Sequence, residues 1–389
     1  MHYHIILTEI CNLQCTYCYG KSMQEFENKL EKKWDYDMET PEDSEVPIEK
    51  LKKFLKPEDT LIFYGGEPLM KINKIMEIID NVDCHFMIQT NGMLLDKLPT
   101  KYLMKLDKML VSIDGTKERD NWGKGIVHYD KIISNLKDVR ARGYTNEIVA
   151  RMVISGGDIY NQVMHLVGLI NKGLFDSIHW QIDAGFYKFD FNEEKFSKFV
   201  KEYNDSIDEL LDFWITEIGR GVEVPPHDVP GTRTSNEVNE KRGKVWRFYP
   251  FLGILNRLMG WDKDKGLPCG AGVNNFSINT KGDLSACPIM NSVKNLYCGN
   301  IEKGITTPRK ISGCDDCSYK NICGGRCLYW KEANLWPKTG NDLICDTIKH
   351  LIDGVREKAV PKVKEAIKER KVKKEDFDFE KYFGPEIIP

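Results

Sequence analysis

Short apolar runs alternate with longer amphipathic segments between residue 3 and about residue 220. The apolar runs are rich in β-branched and aromatic side chains and have the length of strands. They predict six strands, at residues 3–7, 60–64, 84–89, 108–113, 147–154 and 177–182. Each is followed by a segment with helical periodicity, clearest at residues 129–142, 159–171 and 192–218.

Six strand–helix units in succession predict an α/β fold with a parallel sheet, either a barrel or a doubly wound sheet. The count of six, rather than eight, favours a partial (β/α)6 barrel. Both kinds of fold place their ligand sites at the carboxyl ends of the strands. Polar residues that directly follow a predicted strand are therefore the first candidates for function.

The remainder of the chain has a different pattern. Residues 219–240 are polar and broken by Pro and Gly, which predicts a connector, and residues 245–258 predict an aromatic-rich helix interrupted at Pro250 and Gly253. Residues 269–345 have little helical periodicity, as expected of a small domain organised by metal. A Lys-rich helix is predicted at 350–374, and its interleaved acids indicate a solvated face. We therefore divide the chain into 1–220, 221–268, 269–349 and 350–389.

The charge balance excludes several kinds of partner. The chain has 56 basic and 59 acidic residues, for a net charge of −3, so nothing favours nucleic acid or an anionic membrane. The first ten residues contain a five-residue apolar core, which is far shorter than a signal segment or a membrane span. We expect a soluble, cytoplasmic protein that binds neither membranes nor nucleic acid.

Twelve cysteines are the feature of the composition that needs a chemical explanation. In a reducing compartment, clustered thiols hold metal more often than they form disulfides. Cys11, Cys15 and Cys18 form one group, and eight cysteines between Cys269 and Cys345 form another. The remaining one, Cys84, opens an apolar strand and is expected to be a small buried hydrophobe.

The first cysteine group directly follows the first predicted strand. Three thiolates within eight residues can hold a [4Fe–4S] cluster that keeps one iron without a protein ligand and therefore open to a small molecule. The alternative is a structural zinc site that takes His2 or His4 as its fourth ligand. Strand alternation points both histidines to one side, away from the loop, which argues against zinc.

The segment CNLQCTYCYG, residues 11–20, resembles the signature loop of radical S-adenosylmethionine (SAM) enzymes. Gly65-Gly66-Glu67-Pro68, after the second strand, looks like that superfamily's GGEP motif. The resemblance implies that the main chain at the two glycines and the Glu67 carboxylate hold the methionyl ammonium of SAM.

The exits of the next strands are also similar to this family. Asn91 lies in Thr90-Asn91-Gly92 and Ser112 lies in the sequence SIDG, which match the family's third and fourth strand exits. The resemblance implies that Ser112 contacts SAM and that Asn91 orders the loops, with turn capping as the alternative for each. Arg151 interrupts the apolar fifth strand and needs an anionic partner, which is either the methionyl carboxylate or a salt bridge inside the barrel. On the sixth strand, Gln181 and Asp183 are candidates for ribose or substrate contacts.

The second cysteine group resembles the seven-cysteine SPASM extension of peptide-modifying radical SAM enzymes. The resemblance implies two auxiliary [4Fe–4S] clusters, the first held by Cys269, Cys287 and Cys327 and the second by Cys314, Cys317, Cys323 and Cys345. Cys298 lies outside the seven-cysteine pattern. We assign it to the first auxiliary cluster, because the twelve cysteines then partition cleanly and residues 297–300 look like a tight turn that presents a sulfur. A Cys298 that is not a ligand would leave an iron open for a substrate thiolate.

The resemblance implies a radical SAM enzyme with three [4Fe–4S] clusters and SAM, acting on a peptide or protein and reduced by a donor such as ferredoxin or flavodoxin. The expected products are a thioether, a carbon–carbon cross-link or an epimerised residue. The alternatives are a small-molecule or cofactor-precursor substrate, and a non-catalytic iron–sulfur electron carrier, which would not need the GGEP motif.

Two departures from the family pattern narrow these expectations. The signature loop begins at residue 11, so leader recognition is expected to be weak, supplied in trans or built from residues 184–268 or the C-terminal helix. Sulfatase-maturing enzymes have an acid that serves as general base after the cysteine that corresponds to Cys287. Here Pro288 occupies that position, so the formylglycine-forming reaction loses support.

Overall fold

The computed structural model describes residues 1–18, 34–183, 191–220, 245–308, 314–334 and 336–384. Most of the predicted connector, and the Tyr19-Gly20 pair that ends the signature loop, lie outside the described residues. The chain forms two compact units. The first contains Met1–Ser112, Asp120–Ile148 and Cys269–Ile311, and the second contains Ile113–Arg119, Val149–Pro268 and Ser312–Pro389.

The first unit is built on parallel strands. These are β1 (His2–Ile6), β2 (Thr60–Tyr64), β3 (His85–Thr90) and β4 (Lys108–Ser112), paired in chain order. Every residue of β2 is buried, as expected of a central parallel strand covered on both faces. The helices that follow the strands are α1 (Ile48–Phe54), α2 (Ile72–Asn81), α3 (Thr100–Leu103), α4 (Lys117–Lys124) and α5 (His128–Ala141), and α4 belongs to this unit from Asp120 onward.

The second unit contains β6 (Ser177–Ile182) and, from Val149 onward, β5 (Glu147–Ile154), and these two strands pair in parallel. Its core is aromatic, with Trp180 edge-on to Phe251 at a ring-centroid distance of 5.2 Å. The helices are α6 (Ile159–Asn171), α7 (Glu193–Arg220), α8 (Tyr249–Leu258), α9 (Lys320–Cys323), α10 (Leu328–Ala333), α11 (Lys338–Gly354) and α12 (Val360–Lys368).

Two helix predictions were wrong in their details. Helix α8 begins only at Tyr249, with Pro250 in its first turn, where the missing N–H has no intrahelical partner to lose, and it continues through Gly253. The predicted Lys-rich helix is part of a longer helical run that starts at Lys338. A π-helical segment, Val355–Ala359, joins α11 to α12 just before Pro361.

The predicted cysteine-rich segment is divided between the two units. Its first part continues the sheet of the first unit, because β7 (Asn275–Ile278) pairs in parallel with β1. Strands β8 (Asp283–Ser285), β9 (Tyr297–Asn300) and β10 (Gly304–Ile305) then add on in antiparallel order. Residues 269–349 therefore contribute to both compact units, and their treatment as a separate domain stays a prediction.

The prediction of a tight turn at residues 297–300 was wrong, because this segment is β9 and pairs with β8 on one side and with β10 on the other. The sequence YCGN has the composition of a turn, but tertiary pairing decides its conformation. Gly299 has φ +142°, and a Cβ there would lie 2.0 Å from the Gly304 carbonyl oxygen. Only glycine permits this close approach of the two strands.

The six predicted strands of the α/β part are all present. Three have the predicted bounds and the other three differ by one residue at one or both ends. Of the helices, α6 has the predicted bounds. Within the described residues, no helix combines the length and the apolar character that crossing a bilayer requires.

Candidate active site

The exits of the parallel strands in the first unit bring the predicted site residues together. Cys11 follows β1, Glu67 follows β2 and Asn91 follows β3. Because β1, β2 and β3 are parallel neighbours, their carboxyl ends meet at one edge of the sheet.

Gly65 and Gly66 allow the exit of β2 to lie against the exit of β1. The Gly66 N–H donates to the Thr8 carbonyl at 2.8 Å. A Cβ on Gly66 would lie 2.2 Å from the Ile10 carbonyl oxygen, and one on Gly65, where φ is +137°, would lie 2.3 Å from the Thr8 carbonyl oxygen. The sequence predicts that the two glycines make room for SAM. In the structure, the atoms that come close to them are backbone atoms of the residues before Cys11. A contact of Gly65 and Gly66 with SAM stays a prediction.

Glu67 is fully buried and accepts three hydrogen bonds from its own chain. Oε1 accepts from the Leu69 N–H at 3.0 Å and from the Thr90 hydroxyl at 2.7 Å, and Oε2 accepts from the Asn91 N–H at 2.7 Å. Burial raises the pKa of this carboxyl from 4.5 to about 7, against the lowering effect of these hydrogen bonds. The carboxylate therefore joins the exits of β2 and β3, in addition to any contact with an ammonium.

Asn91 connects the exit of β3 to the cysteine loop, which we define as residues 11–18. Its Nδ2 donates to Asn12 Oδ1 at 2.8 Å and lies 3.7 Å from Cys11 Sγ. Its Oδ1 accepts from the Met93 N–H at 3.0 Å, which is an Asx turn. Both roles that the sequence left open, ordering the loops and capping a turn, are thus present.

The three thiols of the cysteine loop are partly exposed. The Leu13 N–H donates to Cys11 Sγ at 3.4 Å, as backbone amides do toward cluster thiolates, and the Cys18 N–H donates to the Cys15 carbonyl at 3.2 Å. Burial raises the pKa of Cys11, with the backbone hydrogen bond of Leu13 opposing this effect.

The zinc alternative finds no support in His4. This side chain is buried on β1 and its Nδ1 lies 2.9 Å from Asn275 Oδ1 on β7. Within the described parts of the chain, no three His, Cys, Asp or Glu side chains are grouped closely enough to hold a single metal ion.

Ser112 ends β4 and is half-buried.

In the second unit, the exit of β5 borders a cavity of about 120 Å³. Asp114 Oδ1 accepts from the Val153 N–H at 2.9 Å, and Gln162 Oε1 accepts from the Thr116 N–H at 2.9 Å, so two side chains fix the loop around the cavity. The cavity is lined by Asp114, Arg119, Met152, Val153, Ile154, Gly156, Asp158, Ile159 and Gln162.

Arg151 is partly buried on β5, and its Nη2 donates to Gln181 Oε1 at 3.2 Å. A Cβ on Gly384 would lie 3.0 Å from Arg151 Nη1, so the C-terminal segment approaches this guanidinium. Burial raises the pKa of Cys327, and the charges of Arg326 and Arg151 are among the opposing effects. Arg151 therefore lies near a predicted cluster ligand, and its contact with SAM stays a prediction.

Four cysteines of the second unit act on one another electrostatically. Burial raises the pKa of Cys345 most, and the charges of Cys314 and Cys317 raise it further. The pKa of Cys323 is also raised, first by burial and in part by Cys345, while the backbone N–H groups of Gly325 and Arg326 oppose this. These four are the set that the SPASM resemblance implies for the second auxiliary cluster.

Three further cysteines, Cys269, Cys287 and Cys298, lie in the first unit and are buried. Cys298 is fully buried on β9, with its Sγ 3.5 Å from the Leu296 carbonyl oxygen. Since residues 297–300 form a strand, one of the two reasons for choosing Cys298 as a ligand is lost. Cys84 is half-buried, and burial raises its pKa to about 12, which keeps the thiol neutral.

Sequence reasoning missed a group of buried charges beside the cysteine loop. Asp120, Lys124 and His128 are linked to one another and to the Asn91 carbonyl. The four-residue spacing of Asp120 and Lys124, which puts both on one face of α4, was the available signal, whereas His128 begins the next helix.

Comparison with known proteins decides which family these strand exits represent. Residues 5–170 match the family model of the radical SAM superfamily. These residues form a radical SAM domain. The three cysteines of the loop, the GGEP sequence and the third and fourth strand exits all lie within this radical SAM domain.

Similarity to known radical SAM enzymes extends beyond that domain. The chain is 23% identical over 380 residues to the radical SAM cyclopropyl synthase TigE of Paramaledivibacter caminithermalis, covering 90% of this chain and 72% of the relative. It is 22% identical over 388 residues to a cysteine-type anaerobic sulfatase-maturating enzyme of Clostridium novyi, covering 88% and 91%.

The solved structure of anSMEcpe with bound AdoMet is similar to 95% of this chain and 98% of that chain, with a TM-score of 0.61 and 16% identity. The predicted fold class, a partial (β/α)6 barrel with a C-terminal cysteine-rich domain, is thereby confirmed.

Proposed function

We propose that this chain is a radical SAM peptide maturase. One observation carries the proposal: nearly the whole chain aligns with nearly the whole length of an enzyme named for maturating a protein, the sulfatase-maturating enzyme of Clostridium novyi. The alignment is long enough to include both cysteine groups. A solved structure of anSMEcpe with bound AdoMet and the Cp18Cys peptide has a fold similar to that of this chain, with a TM-score of 0.59.

Cys11, Cys15 and Cys18 are the residues that we assign to the SAM-binding [4Fe–4S] cluster. Their partly exposed thiols, the Leu13 N–H on Cys11 Sγ and the adjacent Asn91 amide suit a cluster with one open iron. When bound, cluster and SAM together supply one-electron cleavage of the sulfonium C–S bond to methionine and a 5′-deoxyadenosyl radical, which takes a hydrogen atom from the substrate.

The SAM pocket that we propose consists of the strand exits. Glu67 provides a buried carboxylate and the contact that holds Asn91, while Gly65 and Gly66 keep the β2 exit against the backbone that leads into the cysteine loop. Ser112 and Arg151 are further proposed SAM contacts. The chain's part is to bind and orient SAM and to exclude water.

We propose two auxiliary clusters. Their residues would be Cys314, Cys317, Cys323 and Cys345 for one, and Cys269, Cys287, Cys327 and Cys298 for the other. The mutual electrostatic effects among the first four support that set. Formation of a cross-link removes two hydrogens from the substrate: one goes to 5′-deoxyadenosine, and the other leaves as a proton and an electron. The auxiliary clusters, held by these cysteines, would provide an acceptor for that electron.

The proposed product is a thioether, a carbon–carbon cross-link or an epimerised residue. Pro288, which follows Cys287, lacks the carboxylate that would serve as general base in formylglycine formation, so sulfatase maturation is not the proposed reaction. The electron that starts each turnover would come from ferredoxin or flavodoxin.

The test is anaerobic incubation of the reconstituted enzyme with SAM, a reductant and short peptides encoded by neighbouring genes, followed by mass spectrometry. We expect 5′-deoxyadenosine together with a peptide that has lost two hydrogens, or a peptide whose mass is unchanged in H2O and rises by one deuterium for hydrogen exchange in D2O. A sulfatase-derived cysteine peptide is the comparison substrate. Its conversion to formylglycine, with no change in the neighbouring peptides, would contradict the proposal.

A further inference from the structure

Three buried charged side chains lie beside the cysteine loop. Asp120 and Lys124 are on α4 and His128 begins α5, and their side chains are at most 1% exposed. Asp120 Oδ1 accepts from Lys124 Nζ at 2.9 Å, and Asp120 Oδ2 lies 2.5 Å from His128 Nδ1. We call these three residues the charge cluster. Burying three ionisable groups is costly, so their position calls for an explanation.

The hydrogen bonds define the charge of this group. His128 Nε2 lies 3.1 Å from the Asn91 carbonyl oxygen, which only accepts, so Nε2 carries a hydrogen. Burial alone would raise the pKa of Asp120, but the His128 hydrogen bond and the Lys124 charge outweigh it and lower the pKa to about 2. The 2.5 Å contact between Asp120 Oδ2 and His128 Nδ1 also needs one hydrogen between the two atoms. With that hydrogen the Asp120–His128 pair has no net charge, so together with Lys124 the charge cluster has a net charge of +1.

Two links connect the charge cluster to the cysteine loop, one through α4 and one through Asn91. On α4, the Gly123 carbonyl accepts the Thr16 N–H at 3.0 Å, and Lys124 Nζ lies 5.8 Å from the centre of the Tyr17 ring. Through His128 it holds the Asn91 carbonyl, and the Asn91 side chain lies 3.7 Å from Cys11 Sγ.

We propose that the charge cluster positions the cysteine loop and raises the reduction potential of the iron–sulfur cluster held there. The inference rests on the proposed function, because it requires that Cys11, Cys15 and Cys18 bind this cluster. Reduction adds one negative charge to the iron–sulfur cluster. A buried net charge of +1 nearby stabilises the reduced state, since Coulomb interactions are strong where water is excluded. The side-chain Nδ2–H of Asn91, which points toward Cys11 Sγ, acts in the same direction.

The test compares four variants of the full-length reconstituted protein. Lys124→Met and His128→Gln each remove one positive charge, while Lys124→Arg keeps it. Lys108→Met is the matched control: Lys108 is also a buried cation paired with a carboxylate, Glu147 at 2.9 Å, but it lies at the amino end of β4. Potentiometric titration followed by electron paramagnetic resonance gives the midpoint of the signal that changes when SAM is added.

We expect lower midpoints in Lys124→Met and His128→Gln, with the reduced fraction at the wild-type midpoint falling at least about threefold. Lys124→Arg and Lys108→Met should keep the wild-type midpoint. Thermal unfolding of the iron-free proteins shows whether each variant folds.

The failures of the two proposals are distinguishable. A wild-type midpoint in both charge-removing variants would overturn the inference and leave the proposed function intact. Charge-removing variants that bind less iron, but whose remaining iron–sulfur cluster has the wild-type midpoint, would also overturn the inference and leave the proposed function intact. A wild-type protein without any SAM-responsive signal would overturn the proposed function itself.

Discussion

At the scale of single residues, Glu67 shows how one side chain serves the fold and the proposed chemistry together. Its carboxylate accepts three hydrogen bonds while it is fully buried, so it orders the exits of β2 and β3. Its folded-state pKa, about 7, is above the ordinary value of 4.5. The folded protein thus binds this proton more tightly than the unfolded chain, and ionisation of Glu67 costs stability as the pH rises from about 4.5 to about 7.

We predict that Glu67→Gln lowers SAM affinity roughly ten- to a hundredfold, because a charge-assisted bond is worth roughly 1.5–3 kcal/mol. It should also lower the free energy of unfolding by about 1–3 kcal/mol, since the new amide nitrogen faces a donor. This loss should shrink as the pH rises from about 4.5 to about 7, because the wild type bears the cost of ionising Glu67 over that range.

The measurements are equilibrium binding of SAM to the reconstituted protein and denaturant unfolding between pH 5 and pH 8. Glu147→Gln is the control. Glu147 is also a carboxylate, paired with the buried Lys108, but it is the first residue of β5 and lies at the opposite end of that strand from the strand exit. An unaltered SAM affinity in Glu67→Gln would show that the carboxylate serves only the loops.

At the scale of elements, the site depends on how closely the exits of β1 and β2 approach. The Glu67 N–H donates to the Ile10 carbonyl at 2.9 Å, one residue before Cys11. Side-chain size at Gly66 therefore controls the position of the whole cysteine loop, although Gly66 itself holds no metal.

For this reason Gly66→Ala is expected to displace the backbone before Cys11, at a cost of about 1–3 kcal/mol. The reconstituted variant should bind less iron and form less 5′-deoxyadenosine. Gly168→Ala is the matched control, since a Cβ at this position of α6 has open space and alanine favours a helix. Wild-type iron content and SAM cleavage in Gly66→Ala would show that the strand exits tolerate a wider separation.

At the scale of the whole molecule, the proposed cluster ligands come from both compact units. The first unit contains Cys11, Cys15 and Cys18 together with Cys269, Cys287 and Cys298, and the second unit contains the others from Cys314 onward. The proposed division into three iron–sulfur clusters makes the iron content of group variants a direct measure of the assignment.

Replacing Cys11, Cys15 and Cys18 together by Ala should abolish 5′-deoxyadenosine formation and leave about eight irons per chain. The matched variant, with Ala at Cys314, Cys317 and Cys345, should also keep about eight irons but retain SAM cleavage. Iron analysis and quantification of 5′-deoxyadenosine check both. SAM cleavage that survives in the first variant would refute the assignment of its cysteines.

The sequence alone determined the six strands of the α/β part, their parallel direction and the cysteine groups of this protein. Strands 60–64 and 147–154 were predictable to the residue. A run of apolar side chains with β propensity is a local signal, so it can be recognised without knowing which strand it pairs with. The exits of the strands followed from the parallel sheet, and so did the place of Glu67 and Asn91 beside the cysteine loop.

Only the tertiary structure decided the partners of these residues. Residues 297–300 are a strand because β8 and β10 pair with them, although their composition is that of a turn. Gly66 meets the Ile10 carbonyl, and His128 meets the Asn91 carbonyl, across 56 and 37 residues of sequence. Such contacts depend on which strands become neighbours and how closely they approach, and no local pattern of hydrophobic and polar residues encodes those distances.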